Sequence, residues 1–74
     1  MTNEISPREL EVLKLFAKGL SKQEISERLF IAVKTIKTHI ERISEKLDIH
    51  GGVNLLRYAL INGILTIEDL KEQP

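Results

Sequence analysis

The clearest pattern along the chain lies in residues 33–47, where apolar residues recur at intervals of three and four. This interval places them on one face of an α-helix, while polar and mostly basic side chains fall on the opposite face. The stretch therefore predicts an amphipathic helix with one buried and one solvent-facing side. The apolar positions are Val33, Ile36, Ile40, Ile43 and Leu47.

A shorter helix is predicted just before it, over residues 22–29. Ser21 is a good N-cap, and Glu24, three residues later, completes the capping-box pattern. Because residues 30–32 leave room for a turn only, the two helices together predict a helix-turn-helix. The residues of this segment expected to face the core are Ile25, Leu29 and Phe30.

Another helix is predicted upstream, over residues 7–18. Ser6 can cap its start, and Pro7 suits the first helical position, where its missing N–H costs nothing. Gly19 is the natural C-terminal stop. The positions of this helix expected to be buried are Leu10, Leu13, Phe16 and Ala17.

A fourth helix is predicted over residues 53–61, because Asn62 and Gly63 form a strong stop signal. The segment 66–74 is short and polar, and is interpreted as a tail or a last helical turn. We therefore predict an all-α, compact four-helix domain over residues 1–65, followed by a short polar C-terminal tail. The residues expected to pack under the fourth helix and to close the core are Leu56, Ala59, Leu60, Ile64 and Leu65.

Composition agrees with a small helical domain and excludes several classes of protein. The 74 residues allow one domain with one small core, in which Leu, Ile and Val outnumber the three aromatic residues. The absence of cysteine excludes disulfides and thiolate metal sites. No apolar run approaches the roughly 20 residues that cross a bilayer, and the N-terminal segment lacks the features of a signal peptide. We therefore expect a cytoplasmic protein with no membrane contact.

No motif in the chain indicates catalysis. His39 and His50 are the only histidines, and neither they nor the carboxylates show metal-ligand spacing. The serines have cap or surface explanations, and the chain contains no nucleophile elbow or glycine-rich phosphate loop. One small core also leaves little volume for a substrate pocket. The prediction is therefore no enzyme, no metal and no cofactor.

The charge balance by itself does not decide whether the partner is a nucleic acid. The formal net charge is zero, whereas DNA-binding domains are usually basic. Residues 66–74 carry three acidic and one basic side chain, or −2, so residues 1–65 hold ten basic against eight acidic groups, or +2. Residues 31–46 carry four basic and two acidic groups, again +2. The third helix is therefore a weak basic patch.

Three segments in this order carry a recognisable pattern: SPRELEVLKLFAKGLSKQEISERLFI, VKTIKTHIERISEKL and RYALINGIL. They resemble the LuxR/GerE-type helix-turn-helix domain found at the C-terminus of NarL-like response regulators. The resemblance covers residues 5–65. It implies a sequence-specific transcriptional regulator whose second and third helices make the motif, whose third helix lies in the major groove, and whose fourth helix supports dimerisation.

The resemblance also implies roles for individual side chains, and it places Lys37, Thr38 and Glu41 at the base-reading positions. Lysine can donate to guanine O6 and N7, glutamate can accept from cytosine N4, and threonine offers a hydroxyl or a methyl group. The candidates for phosphate contacts are Ser21, Lys22, Lys34, Thr35, His39, Arg42 and Lys46. The candidates for a dimer surface are Asn54, Arg57 and Ile61.

Alternative interpretations without DNA contacts are also open for these residues. The polar side of the third helix can be an ordinary solvated face, and Lys37 can simply pair with Glu41 one turn later. His39 can bridge the helix and the core instead of reaching a phosphate. A protein of the same fold can also be a helical protein-protein interaction module with little DNA affinity. The expected partners are double-stranded DNA, a second copy bound weakly through the fourth helix, and RNA polymerase.

The chain departs from the family pattern at four places. Lys22-Gln23 replaces the usual Asn-Lys pair of the second helix, which shifts the basic group by one residue, or about 100° around the helix. Ala32 stands where the family has a serine before the third helix, and loss of an N-cap costs about 1 kcal/mol. Asp48 replaces the usual glycine after the third helix, and Gly51-Gly52 replaces a Ser-Arg pair. We therefore predict an under-capped third helix and the loss of that arginine's contact.

Overall fold

The computed structural model describes residues 5–71, which fold as five α-helices without a β-strand. The predicted all-α class is confirmed, and each of the four predicted helices is present with bounds within one residue. A short fifth helix lies in the segment interpreted as a tail or a last helical turn. Residues 1–4 of the predicted domain and 72–74 of the predicted tail lie outside the described residues. The helices are α1 (Pro7–Ala17), α2 (Lys22–Leu29), α3 (Val33–Leu47), α4 (Gly52–Ile61) and α5 (Ile67–Lys71).

α1 and α2 begin with the same reciprocal capping box. The Glu9 N–H donates to Ser6 Oγ at 3.1 Å, and the Ser6 N–H donates to Glu9 Oε1 at 2.9 Å. Ser21 and Glu24 repeat this arrangement at 3.1 and 2.8 Å, as the sequence predicted. Each box satisfies backbone N–H groups that a helix start leaves without an intrahelical partner. α3, by contrast, begins at Ala32 with no side-chain cap, which confirms the predicted under-capping.

The first three helices end through residues with positive φ. Gly19 has φ 103°, and the N–H groups of Gly19 and the next residue donate to carbonyls in the last turn of α1. Phe30 ends α2 at φ 57° and Asp48 ends α3 at φ 53°, both in the left-handed region. This region costs a residue with a side chain about 1–2 kcal/mol, so both positions store local strain.

α1 lies at the centre of the molecule, since it packs against α2, α3 and α4, while α2 packs against α3. The main core forms where α1 to α4 meet. A smaller cluster lies between the end of α1, α4 and the segment that follows it. The main cluster contains Val12, Leu13, Leu20, Ile25, Ile36, Ile43 and Leu55. The smaller one contains Ala17, Ala59 and Leu65.

Four core assignments from the sequence differ from the structure, and one of them is Val33, which was expected on the buried side of α3 but is 37% exposed. Leu10 is 41% exposed and Val12 is fully buried, because the buried side of α1 centres on Glu9 and Leu10 lies about 100° further around the helix. Phe30 was expected inside but is 95% exposed, because it ends α2 in the left-handed conformation and its side chain is turned to solvent. Leu55 was missed in α4 and is only 2% exposed.

α5 closes the described part of the chain at its C-terminal end. Thr66 caps it, since Asp69 Oδ2 accepts from the Thr66 N–H at 2.9 Å and the Asp69 N–H donates to Thr66 Oγ1 at 3.2 Å. Leu70 packs on the smaller core cluster, and Lys14 Nζ of α1 lies 3.9 Å from Asp69 Oδ1. Within residues 5–71, no helix is long and apolar enough to cross a membrane.

Candidate nucleic-acid interface

The turn between α2 and α3 is fixed by Ser26, one of the serines interpreted from the sequence as cap or surface residues. The Ile31 N–H donates to the Ser26 carbonyl at 3.1 Å, and Ser26 Oγ donates in return to the Ile31 carbonyl. These two bonds bridge the three-residue turn. They set how α3 leaves α2, and with it the geometry of the helix-turn-helix.

α3 has two chemically different sides, as its sequence pattern predicts. Ile36 and Ile43 are 0% and 1% exposed and hold the helix on the core, whereas Val33, at its first turn, is 37% exposed. The polar side faces solvent and carries most of the residues assigned to base or phosphate contacts. The assigned residues that are exposed on this side are Lys34, Thr35, Lys37, Glu41 and Arg42.

The basic groups exposed on this side of α3 have no partners among residues 5–71, unlike several other basic groups there. Arg8, Lys14 and Lys71 form ion pairs with acidic groups on α1 and α5. Within residues 5–71, the basic side chains that form neither a hydrogen bond nor an ion pair are Lys22, Arg28, Lys34, Lys37, Arg42 and Arg57. Four of these six lie at the start of α2 or along α3, so unpaired positive charge is concentrated on the helix-turn-helix although the chain as a whole is neutral.

Lys37 and Glu41 are both exposed, and no ion pair joins them in the described part of the chain. The alternative in which these residues merely neutralise each other is therefore not realised. Both side chains keep their hydrogen-bonding groups available to an outside partner.

Thr38 is half-buried, and its hydroxyl is already engaged. Its Oγ1 donates to the Lys34 carbonyl one turn earlier at 3.1 Å, so the only hydroxyl proton stays within the helix. What remains for a base is an acceptor lone pair or the methyl group. The hydroxyl donor considered from the sequence is not available in this conformation.

Lys46 lies in the last turn of α3 and forms an ion pair with a buried carboxylate. Its Nζ is 2.7 Å from Glu9 Oε1, and Glu9 is 4% exposed. Burial by itself raises the pKa of Glu9, but hydrogen bonds from Lys46 and Ser6 and the charge of Lys46 outweigh that effect and lower its pKa below the ordinary value. The sequence pattern did not reveal this contact, because Glu9 and Lys46 lie 37 positions apart.

His39, Ser21 and Lys22 lie at the edges of the same surface. His39 is half-buried, and its Nδ1 is buried without a hydrogen-bond partner among the described residues. Ser21 and Lys22 are exposed at the start of α2, and Ser21 Oγ accepts from the Glu24 N–H. The N-terminus of a helix favours anions, because its first N–H groups point outward.

The residues assigned to a dimer surface are all exposed on α4. Ile61 is 76% exposed, and Asn54 and Arg57 also face solvent. These three residues line an open groove of 570 Å³ together with Ile49 and Tyr58. The Asn54 side-chain amide donates one N–H to the His50 carbonyl at 2.8 Å and keeps its Oδ1 and second N–H, so all three residues present groups to a partner.

A compact helical domain that presents unpaired basic groups on a helix-turn-helix defines a class, the DNA-binding regulators. Comparison with known proteins agrees. Residues 3–59 match the family model of bacterial regulatory proteins of the luxR family. The chain belongs to this family, whose members are DNA-binding transcriptional regulators and not enzymes, as predicted.

Relatives support the same assignment. The chain is 42% identical over 65 residues to the uncharacterized response regulatory protein YgeK of Escherichia coli. It is 44% identical over 61 residues to the oxygen regulatory protein NreC of Staphylococcus carnosus, and equally to NreC of Staphylococcus haemolyticus. These matches cover 88% of the chain for YgeK and 82% for both NreC proteins, but only 44% and 28% of the relatives' lengths. The chain thus spans less than half the length of these relatives.

Proposed function

We propose that this chain regulates transcription by binding specific double-stranded DNA sequences with α3 in the major groove. The observation that carries the proposal is the set of unpaired cations Lys22, Lys34, Lys37 and Arg42 on one exposed helix-turn-helix. Unpaired cations gain more from phosphates than cations that already hold a carboxylate, because no existing ion pair has to break. An amphipathic helix also has the dimensions to enter the major groove.

Base reading falls to Lys37, Glu41 and Thr38. Lys37 donates to guanine O6 and N7, and Glu41 accepts from cytosine N4. Phosphates repel a carboxylate unless a hydrogen-bond donor on a base, such as cytosine N4, holds it. A contact from Glu41 therefore contributes more to discrimination between base sequences than to affinity. Thr38 contributes its methyl group or its oxygen as an acceptor, since its hydroxyl already donates to the Lys34 carbonyl.

Phosphate contacts position the helix without reading sequence. Lys34, Thr35 and Arg42 are exposed along α3, and Ser21 and Lys22 meet the backbone at the start of α2, where the helix dipole adds to the attraction. His39 Nε2, the ring nitrogen other than the buried Nδ1, completes the proposed phosphate set. Lys46 is not part of this set, because Glu9 holds its ammonium group.

We further propose that the domain binds as a dimer through α4 and acts on RNA polymerase at promoters. One module buries only about 600–1,000 Å² on DNA, so two copies are a common route to specificity. A two-fold axis through α4 would place two copies of α3 on half-sites about 10 base pairs apart. Arg57 and Ile61 lie on the exposed side of α4, where such a contact requires them.

The test begins by selecting preferred sites from a random duplex pool with the full 74-residue chain. Lys37→Ala should cost about 1–3 kcal/mol of binding free energy on the selected site and flatten the preference among sequences. Lys34→Ala should weaken selected and random duplexes alike, and Lys71→Ala, on α5, should change neither. Equal losses on both duplexes for Lys37→Ala would rule out base reading by that residue. No salt-dependent binding to any duplex would favour the protein-interaction alternative.

A further inference from the structure

One of the polar contacts in residues 5–71 joins the last turn of α3 to the first turn of α1. Lys46 Nζ lies 2.7 Å from Glu9 Oε1, and the same oxygen accepts from the Ser6 N–H at 2.9 Å. Glu9 is 4% exposed, whereas the Lys46 side chain is 35% exposed. A buried carboxylate that holds both a helix start and a lysine from another helix fixes two elements relative to each other.

Helix geometry places this contact away from the base-reading positions. Lys46 follows Lys37 by nine residues, which is about two and a half turns, so the two side chains leave α3 on opposite flanks. The same nine residues separate them by about 13 Å along the axis. Lys46 therefore faces α1, whereas Lys37, on the opposite flank of α3, faces solvent.

The ion pair is also directional in a way that the core contacts of α3 are not. Apolar packing of Ile36 and Ile43 favours burial without specifying one orientation, whereas a charge-assisted hydrogen bond specifies distance and angle. At the other end of α3, Ala32 supplies no side-chain cap that could fix the helix start. Within the described residues, the hydrogen bond from Lys46 to Glu9 is the directional side-chain contact that joins α3 to another helix.

We propose that Lys46 is a positioning residue of the DNA interface. Its ion pair with Glu9 holds α3 on α1 at the angle that presents Lys37 and Glu41 to base edges, and Lys46 contacts no phosphate. This inference rests on the proposed DNA binding. Moving the ammonium group to a phosphate would leave the buried Glu9 carboxylate without its counter-charge, which is strongly unfavourable.

The test compares how steeply DNA affinity depends on salt in matched variants of the full chain. Each lost phosphate contact reduces the slope of log affinity against log salt by about 0.9. Lys34→Met should show that reduction. Lys46→Met should leave the slope unchanged, yet lower the ratio of selected-site to random-site affinity about fivefold or more, which is the size of one misaligned base contact. Glu9→Gln should reproduce the Lys46→Met result, although glutamine touches no DNA.

A double variant separates positioning from stability. Glu9→Gln combined with Lys46→Met removes both charges, so it leaves no buried ion unpaired and should fold even where a single variant does not, which urea unfolding checks first. It should keep the full salt slope and still show the reduced discrimination.

Each contrary result overturns a separate statement. A slope reduced in Lys46→Met as in Lys34→Met would make Lys46 a phosphate ligand. Wild-type discrimination in the double variant would show that the pair positions nothing, and a double variant that does not fold would make it a folding determinant instead. Absence of salt-dependent binding by the wild-type chain would instead refute the proposed DNA-binding function.

Discussion

At the scale of single residues, the two left-handed helix ends show how this chain tolerates strain. Phe30 and Asp48 both occupy a conformation that favours glycine, asparagine or aspartate, but only the aspartate is of a suitable type. Phe30 is also 95% exposed, so its ring gains almost no burial that would offset the strain. The position is therefore a candidate for stabilisation by a smaller polar side chain.

Phe30→Asn should raise the free energy of unfolding by about 0.5–1 kcal/mol, because asparagine tolerates the left-handed region and little buried apolar surface is lost. The urea midpoint measures the effect. Asp48→Asn serves as the matched control at the other left-handed end and should change the midpoint by much less. A lower midpoint for Phe30→Asn would show that the phenyl ring makes a stabilising contact in the folded chain.

Ala32 is a second position at which a single substitution should stabilise the fold. It holds the N-cap position of α3 in an extended conformation, and no side chain accepts a hydrogen bond from the first turn. Ala32→Ser should stabilise the fold by about 1 kcal/mol, because its hydroxyl can accept from a free N–H of that turn. Ala32→Val is the control and should show no comparable gain, because valine is as poor an N-cap residue as alanine. An unchanged urea midpoint and slope in Ala32→Ser would mean that another group caps the helix.

At the scale of helices, local rules account for nearly all of the element bounds. The capping boxes at Ser6 and Ser21 and the stop at Gly19 involve residues within four positions of each other, so spacing in the sequence reveals them. Which side of a helix is buried depends on its neighbours, and this is why Leu10 was assigned wrongly and Leu55 was missed. The contact between Glu9 and Lys46 spans 37 positions and leaves no periodic signal. The polar surface of α3 was visible from the sequence, but the engagement of Lys46 and of the Thr38 hydroxyl was not.

The Glu9 contact between α1 and α3 predicts acid sensitivity. Because the folded-state pKa of Glu9 is lowered from 4.5, its contribution to stability is present above about pH 4.5 and is lost as the pH falls through the lowered value. Urea unfolding between about pH 5 and about pH 2 should therefore show a shallower decline in Glu9→Gln than in the wild type.

The same experiment needs a reference for other carboxylates. Asp69 also has a lowered pKa, chiefly because its carboxylate accepts the Thr66 backbone N–H, so acid should weaken the cap of α5 as well. Asp69→Asn controls for that part of the decline. Identical acid profiles for wild type and Glu9→Gln would contradict the assignment of an ionised Glu9 in the folded chain.

At the scale of the whole molecule, binding to two half-sites depends on a surface remote from α3. Ile61→Asp should abolish cooperative occupation of a duplex with two half-sites and leave binding to a single half-site intact, because Ile61 is 76% exposed and its loss does not open the core. Ile67→Asp, which alters an exposed residue of α5, is the control. Sedimentation and footprinting with unaltered pairing in Ile61→Asp would remove α4 as the dimer surface.

Residues 21–47 carry six basic and four acidic side chains in a chain of zero formal net charge, so the helix-turn-helix is the positive end of a charge dipole. A molecule without net charge gains little from the distant field of DNA, but its dipole turns the correct side toward the duplex at close range. Random genomic DNA outnumbers any target by orders of magnitude, and attraction to it depends on neutralised phosphates. We therefore expect this domain to be sequestered less by random DNA than a strongly basic domain of equal site affinity, so that fewer copies per cell suffice to occupy a promoter.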